Sequence, residues 1–162
     1  RVGGPVRTQE FTPVIRPATH DDVIHVAENI RDEDKQEVEA LTGLSPLEAL
    51  SLGLVHSDVC MAGVNRLGVA VAILGVSKVE GDERGWVWML STPDIVSEAR
   101  AVIREGKAWL DGLDGLYPVL TNYVTESNDV HVNLIKHMGF TFGDPIDNYG
   151  VGKVRVIPFE RT

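Results

Sequence analysis

Apolar positions along the chain change period several times, and each change marks an element. From Phe11 to Arg16 they alternate as on a strand, which Pro17 ends. Residues 1–10, with Gly3, Gly4 and Pro5, carry no period and read as a flexible arm, so one folded domain is expected over residues 11–162. Val23, Val26, Ala27 and Ile30 recur at helical spacing behind Thr19, a good N-cap, with Asp21 and Asp22 in the first turn where the helix dipole favours acids. A second short helix is predicted over Asp34 to Leu41, with Gly43 as its stop. Ser45-Pro46-Leu47-Glu48 combines a capping box with proline at the first helical position, and it opens a third helix with Leu47, Leu50 and Leu54 on one face.

Strands are predicted over Asp58 to Val64 and Leu67 to Val76, joined at Asn65-Arg66. The run Val69 to Leu74 is apolar at nearly every position, which suits a strand covered on both faces. A polar hairpin, Lys78 to Arg84, leads into a strand over Trp86 to Leu90. The longest helix follows, with Ile95, Val96, Ala99, Val102, Ile103, Gly106, Trp109, Leu110 and Leu113 at three- and four-residue steps, and Thr92 or Asp94 can cap it. Val119 to Val124 reads as a strand, and Asn128 opens a helix that Gly139 ends in the left-handed conformation. Phe140 to Phe142 starts a strand, Asp144 to Gly152 reads as a loop, and Lys153 to Phe159 closes the chain as a strand. This order predicts an α/β (α+β) domain with a mixed, mostly antiparallel sheet and helices on both faces.

Composition narrows the partners. With 15 basic and 24 acidic residues the formal charge is −9, which argues against broad binding to nucleic acid or an anionic membrane, because the mean field repels phosphate. Arg100, Arg104 and Lys107 form one basic cluster, read as the solvated face of the long helix. The single cysteine, Cys60, can make neither an intrachain disulfide nor a Cys-based zinc site, and its strand neighbours suggest a buried, inert thiol. Without a paired-His motif no metal is expected. No apolar run reaches bilayer length and no basic-then-apolar signal segment is visible, so a reducing compartment is expected.

Tyr117, Leu120, Asn122-Tyr123-Val124, Asn128, His131, Lys136, Gly139 and Phe142 are similar in spacing to the C-terminal part of the internal virion protein A family of short-tailed bacteriophages. An Asn opening a helix that ends in Gly139-Phe140 also resembles the GNAT (GCN5-related N-acetyltransferase) pattern. The match covers residues 117–142 well and 86–116 loosely. Earlier it rests on element order and on Val14-Ile15-Arg16-Pro17. The resemblance implies a GNAT-like fold in a phage-encoded protein of the host cytoplasm or virion interior. Such a protein would serve virion assembly or a host interaction through a virion or host protein partner, with catalysis weak or absent and a homo-oligomer left open. The alternative it implies is an active N-acetyltransferase that moves an acetyl group from acetyl-CoA to a protein or small-molecule amine. A binding module using the acidic surface and the 78–84 hairpin is a third reading.

In GNAT enzymes a strand enters a Gly-rich turn and then a helix whose free N–H groups hold the pyrophosphate. Carried onto Met89 to Ser97, this implies acetyl-CoA contacts at Leu90, Thr92 and Ser97, with Asn128 beside the pantetheine arm. The segment lacks the glycines and the basic residue of that motif, Pro93 removes an amide donor, and Asp94 brings a negative charge near the phosphates. The tyrosine that commonly protonates the leaving thiolate is replaced by Ile135, and Tyr123 is the substitute nearest to hand. Candidate general bases are Glu80, Asp82, Glu83, His56 and His131, of which His131 sits in a first helical turn, where the dipole favours the neutral imidazole. Each also has a reading without chemistry: Asn128 as an N-cap, His131 bonded near the cap, Tyr123 in the core. Trp86, Trp88 and Trp109 read as sheet-on-helix packing rather than a substrate cage. Asn122 is the stronger anomaly, since a strand disfavours it and a buried amide demands partners.

Overall fold

The computed structural model describes residues 14–162; the arm and the part of the first strand predicted before Val14 lie outside the described residues. Val14–Pro17 (β1) leads into three helices, His20–Glu28 (α1), Asp32–Thr42 (α2) and Pro46–His56 (α3). Thr19 caps α1 in a reciprocal box with Asp22, whose carboxylate also takes two hydrogen bonds from Arg16 at 2.6 and 3.0 Å. Ser45 accepts from the Glu48 amide to start α3, with Pro46 in its first turn, as the sequence predicts.

Three antiparallel strands follow, Val59–Val64 (β2), Ala70–Ser77 (β3) and Gly85–Ser91 (β4), then a 3-10 turn at Pro93–Ile95 and helix Ala99–Gly112 (α4). The long helix therefore begins later than its apolar period suggests. The Thr92 side chain makes no capping bond, and residues 93–95 form the tighter turn. Leu120–Thr125 (β5), Asp129–His137 (α5), Thr141–Phe142 (β6), Ile146–Tyr149 (β7) and Val154–Arg161 (β8) complete the chain. The expected loop over Asp144 to Gly152 thus contains β7, which pairs with β8. Its largely exposed positions give it no apolar alternation to read.

The sheet runs β1-β2-β3-β4-β5-β8-β6, with β7 also on β8. All its named pairings are antiparallel except β4 with β5. On one face α1, α2 and α3 cover Ala62, Ile73, Trp88 and Leu90. On the other, α4 and α5 cover Val87, Met89, Leu120 and Val124. β3 is buried on both sides, as its continuous apolar run requires. Trp88 lies flat over two glycines: a Cβ on Gly53 or Gly75 would stand 2.7 or 2.6 Å from its ring. Its indole N–H donates to Ser57 Oγ at 3.1 Å. Trp109 packs against the α4–α5 core cluster, while Trp86 stands 6.0 Å from the Tyr123 ring and under Arg84. Cys60 is half-buried and its thiol is pushed up to about 11 by burial, consistent with an unreactive strand cysteine. Among the described residues no single helix is long and apolar enough to cross a membrane.

Candidate active site

The parallel pair β4 and β5 is joined only at its start, Gly85 opposite Leu120 and Trp86 opposite Thr121. Beyond that point the strands part. In a parallel ladder of this register, the Gly85 N–H donates to Val119 C=O, as observed at 2.8 Å, and the Tyr123 N–H should later meet Val87 C=O. The Asn122 side chain stands between those two groups instead. Its Nδ2 donates to Val87 O at 2.6 Å and its Oδ1 accepts from Tyr123 N at 2.7 Å. The strand asparagine flagged by propensity is therefore the wedge at the apex of a V.

Strand alternation shows which backbone groups face the opening. Thr92 N–H donates to Val71 O on β3, so Leu90 also turns its amide toward β3, and Met89 and Ser91 turn theirs toward β5. Met89 thus presents N–H and C=O where no strand pairs with it. Ser91 is taken: its N–H donates to Asp34 Oδ2 at 2.8 Å and its carbonyl accepts from Arg31 N at 3.0 Å. On β5 the corresponding Thr125 N–H donates to Glu37 Oε1 at 2.7 Å, and the Thr125 hydroxyl donates to the same oxygen. Helix α2 therefore spans the wide end of the V, with one carboxylate on each strand.

These contacts belong to a buried network. Asp34, with no exposed surface, also accepts from Ser91 Oγ at 2.6 Å, Arg31 at 2.7 Å and Asn128 Nδ2 at 3.0 Å. Burial pushes the Asp34 carboxyl up, but hydrogen bonds from His131, Ser91 and Asn128 outweigh it and hold it below the ordinary value. His131 Nε2 lies 3.1 Å from Asp34 Oδ2 and 3.0 Å from Ser91 Oγ. Because the Ser91 hydroxyl hydrogen points at Asp34, Nε2 faces two acceptors and carries a proton; in the neutral ring Nδ1 is then the acceptor, 4.0 Å from Glu37 Oε2. Asp34, Glu37 and His131 offer ligand atoms within 4.8 Å of one another, a grouping that could take a divalent ion. In this arrangement Arg31 already supplies a cation at Asp34.

The sequence-predicted residues divide accordingly. Asn128 does not cap α5: its amide donates to Asp34 and to Glu37 and accepts from Arg31, because charged partners from α2 reach it in the core. His131 is bonded not to its own cap but across the molecule to Asp34 and Ser91. Thr92 Oγ1 is buried without a partner, and Leu90 packs its side chain into the α1–α3 core. Ser97 is exposed and its hydroxyl donates to Asp94 O. Among the described residues, the amides of Ser97, Arg100 and Ala101 donate to no backbone carbonyl. Tyr123 sits between the rings of Trp86 and Tyr149, at 6.0 and 4.7 Å. Asp82 is held in the hairpin by Arg84 and Trp86. Pattern reasoning missed Arg31, Asp34, Glu37 and Ser91. The one hint is that Asp34 falls four residues before the buried Val38, on the inner face of its helix.

A cavity of about 580 Å³ passes through the V and touches both helical layers. Its wall includes Met89, Asn122, Glu37, His131, Trp88 and Gly106. A mixed sheet with two parallel strands that part after a shared start, each leading into a helix, defines the GNAT acyltransferase fold. Solved structures of that fold superpose over nearly the whole chain. An acetyltransferase of the GNAT family from Bacillus anthracis matches with a TM-score of 0.69 at 11% identity, covering 94% of this chain and 96% of its own. A GCN5-related N-acetyltransferase from Kribbella flavida gives 0.66 at 17% identity, over 93% and 97%. A Salmonella typhimurium protein solved with its cofactor acetyl-CoA gives 0.68 at 14% identity, over 94% of each chain. No protein-family model and no curated protein matches the sequence.

Proposed function

We propose that the protein is an acetyl-CoA-dependent N-acetyltransferase acting on an amine. The observation that carries this reading is the V itself: two diverging strands with the Met89 backbone edge unpaired, opening on a cavity that crosses the sheet beside His131. The groups present fit the cofactor. The Met89 N–H can receive a carbonyl, Thr92 Oγ1 is a buried polar atom in want of a partner, and the free amides of Ser97, Arg100 and Ala101 form an anion-binding turn with the Arg100 side chain close by. Acetyl-CoA, when bound, would supply an acetyl thioester whose carbonyl carbon bonds the acceptor nitrogen as its C–S bond breaks and CoA leaves as the thiolate. His131 takes the amine proton at Nδ1, with its Nε2–H donating to Ser91 Oγ, a partner on β4 that does not depend on α2. Tyr123 and Trp88 form apolar walls for the acceptor on the α1–α3 side.

The test is acetyl transfer from acetyl-CoA to a panel of primary amines and lysine peptides, run beside His131→Gln. Turnover by the wild type, with a loss of roughly 10²-fold or more in the variant, is the expected outcome. Silence across the panel together with no heat of acetyl-CoA binding would overturn the reading.

A second reading is favoured by the Ser91 to Ser97 segment, where Pro93 offers no amide and Asp94 brings negative charge to the phosphate side. In it the fold serves virion assembly or a host interaction, as the resemblance to internal virion protein A implies. Its signature is the protein in purified phage particles, detected by mass spectrometry, with acetyl-CoA unbound.

A further inference from the structure

We infer that the carboxylates of Asp34 and Glu37 are internal stand-ins for the cofactor's arm: they occupy the Ser91 and Thr125 amides that line the V, and α2 must undock before acetyl-CoA can seat. The inference rests on the transfer reading above and adds a gate to it.

Diverging strands leave backbone donors exposed on their facing edges, and buried donors must be satisfied. At the apex Asn122 does this. At the wide end the job falls to α2, whose Asp34 and Glu37, three residues apart and so on one helical face, reach Ser91 N–H on β4 and Thr125 N–H on β5. The free Met89 N–H can hold one amide carbonyl of the arm, while the arm's other amide carbonyl, passing the wide end, meets the Ser91 and Thr125 donors from the side the carboxylates now hold. Carboxylate and ligand therefore compete for them, and both cannot be bonded at once.

Two features make α2 separable from the core. Val38 is its one buried apolar side chain, so polar bonds rather than apolar area hold the helix down. Asp34 also carries its own counter-ion, because Arg31, at the N-cap of the same helix, pairs with it at 2.7 Å. Undocking moves the ion pair as a unit and strands no lone charge in the core, though it takes all three side-chain partners of the buried Asn128, whose amide the ligand arm must then satisfy. It also frees His131 from Asp34 while Ser91 Oγ stays beside Nε2, so the ring keeps a partner in the open form.

The experiment combines calorimetry and amide hydrogen exchange on the full chain. Acetyl-CoA should speed exchange across 32–42 at least tenfold while the Ser91 and Thr125 amides stay protected, having passed from carboxylate to ligand. Glu37→Ala should bind acetyl-CoA about tenfold more tightly than wild type. Glu37→Gln, which keeps an acceptor at Thr125, should fall between the two and guards against a variant that misfolds. If acetyl-CoA binds with α2 exchange unchanged and neither variant tightens it, the gate is wrong while the transfer reading stands. If no form of the protein binds acetyl-CoA, the transfer reading fails and the gate fails with it.

Discussion

Asn122 sits where the next ladder bond between β4 and β5 would form, and it takes both halves of that bond for itself. A side chain that cannot donate or accept leaves two choices: the strands remain apart with Val87 C=O and Tyr123 N–H unsatisfied, or they zip together and narrow the V. Asn122→Val should therefore cost about 1–3 kcal/mol in urea denaturation, and it should weaken acetyl-CoA binding about tenfold, or 1.4 kcal/mol. A variant with wild-type midpoint and affinity would show that the wedge is dispensable. His131 teaches a related lesson. Its position in a first helical turn suggests control by the helix dipole, yet its neighbours in space are two carboxylates and a serine hydroxyl. Hydrogen bonds at about 3 Å orient the ring, which a distributed dipole does not do.

Among the elements, β3 and β4 are fixed to α3 by the ring of Trp88 resting on glycines. A Cβ at Gly75 would stand 2.6 Å from both Trp88 Cζ2 and the Val59 carbonyl oxygen, whereas one at Gly53 would meet the ring alone. Backbone cannot retreat as a side chain can, so Gly75→Ala should destabilise by about 1–3 kcal/mol and Gly53→Ala by less. Thermal melts of the two proteins read the order directly, and a reversed order would mean that β2 yields more easily than Trp88. Helix α2 is held mainly by polar bonds instead. Its run Arg31-Asp32-Glu33-Asp34-Lys35 looks like a solvated face, yet Arg31 and Asp34 are buried. The partners that explain this lie 57 to 97 residues away, beyond the reach of any local pattern.

For the molecule as a whole, two buried carboxylates tie stability to pH. Burial raises the Asp22 carboxyl, but Arg16 and Thr19 outweigh it, and Asp34 behaves likewise with its own partners, so both ionise more readily folded than unfolded. Such groups contribute stability that is complete above the unfolded carboxyl value of about 3.9 and disappears as pH falls through the lower folded values. Denaturation free energy should therefore be level above about pH 5 and decline below it, more gently in Asp34→Asn. An equally steep acid decline in that variant would place the linkage elsewhere. Periodicity and capping, which act over a few residues, suffice for the order of elements apart from β7, for the caps at Thr19 and Ser45, for the doubly covered β3 and for the α+β class. Tertiary structure alone decided that β4 and β5 part after two residue pairs, that Asn122 wedges the apex, and that Asp34, Glu37, Ser91, Asn128 and His131 share one buried network. The reason is desolvation. Once packing removes water, a polar group must bond to whichever partner the fold brings within about 3 Å, and distance along the chain has no part in that choice.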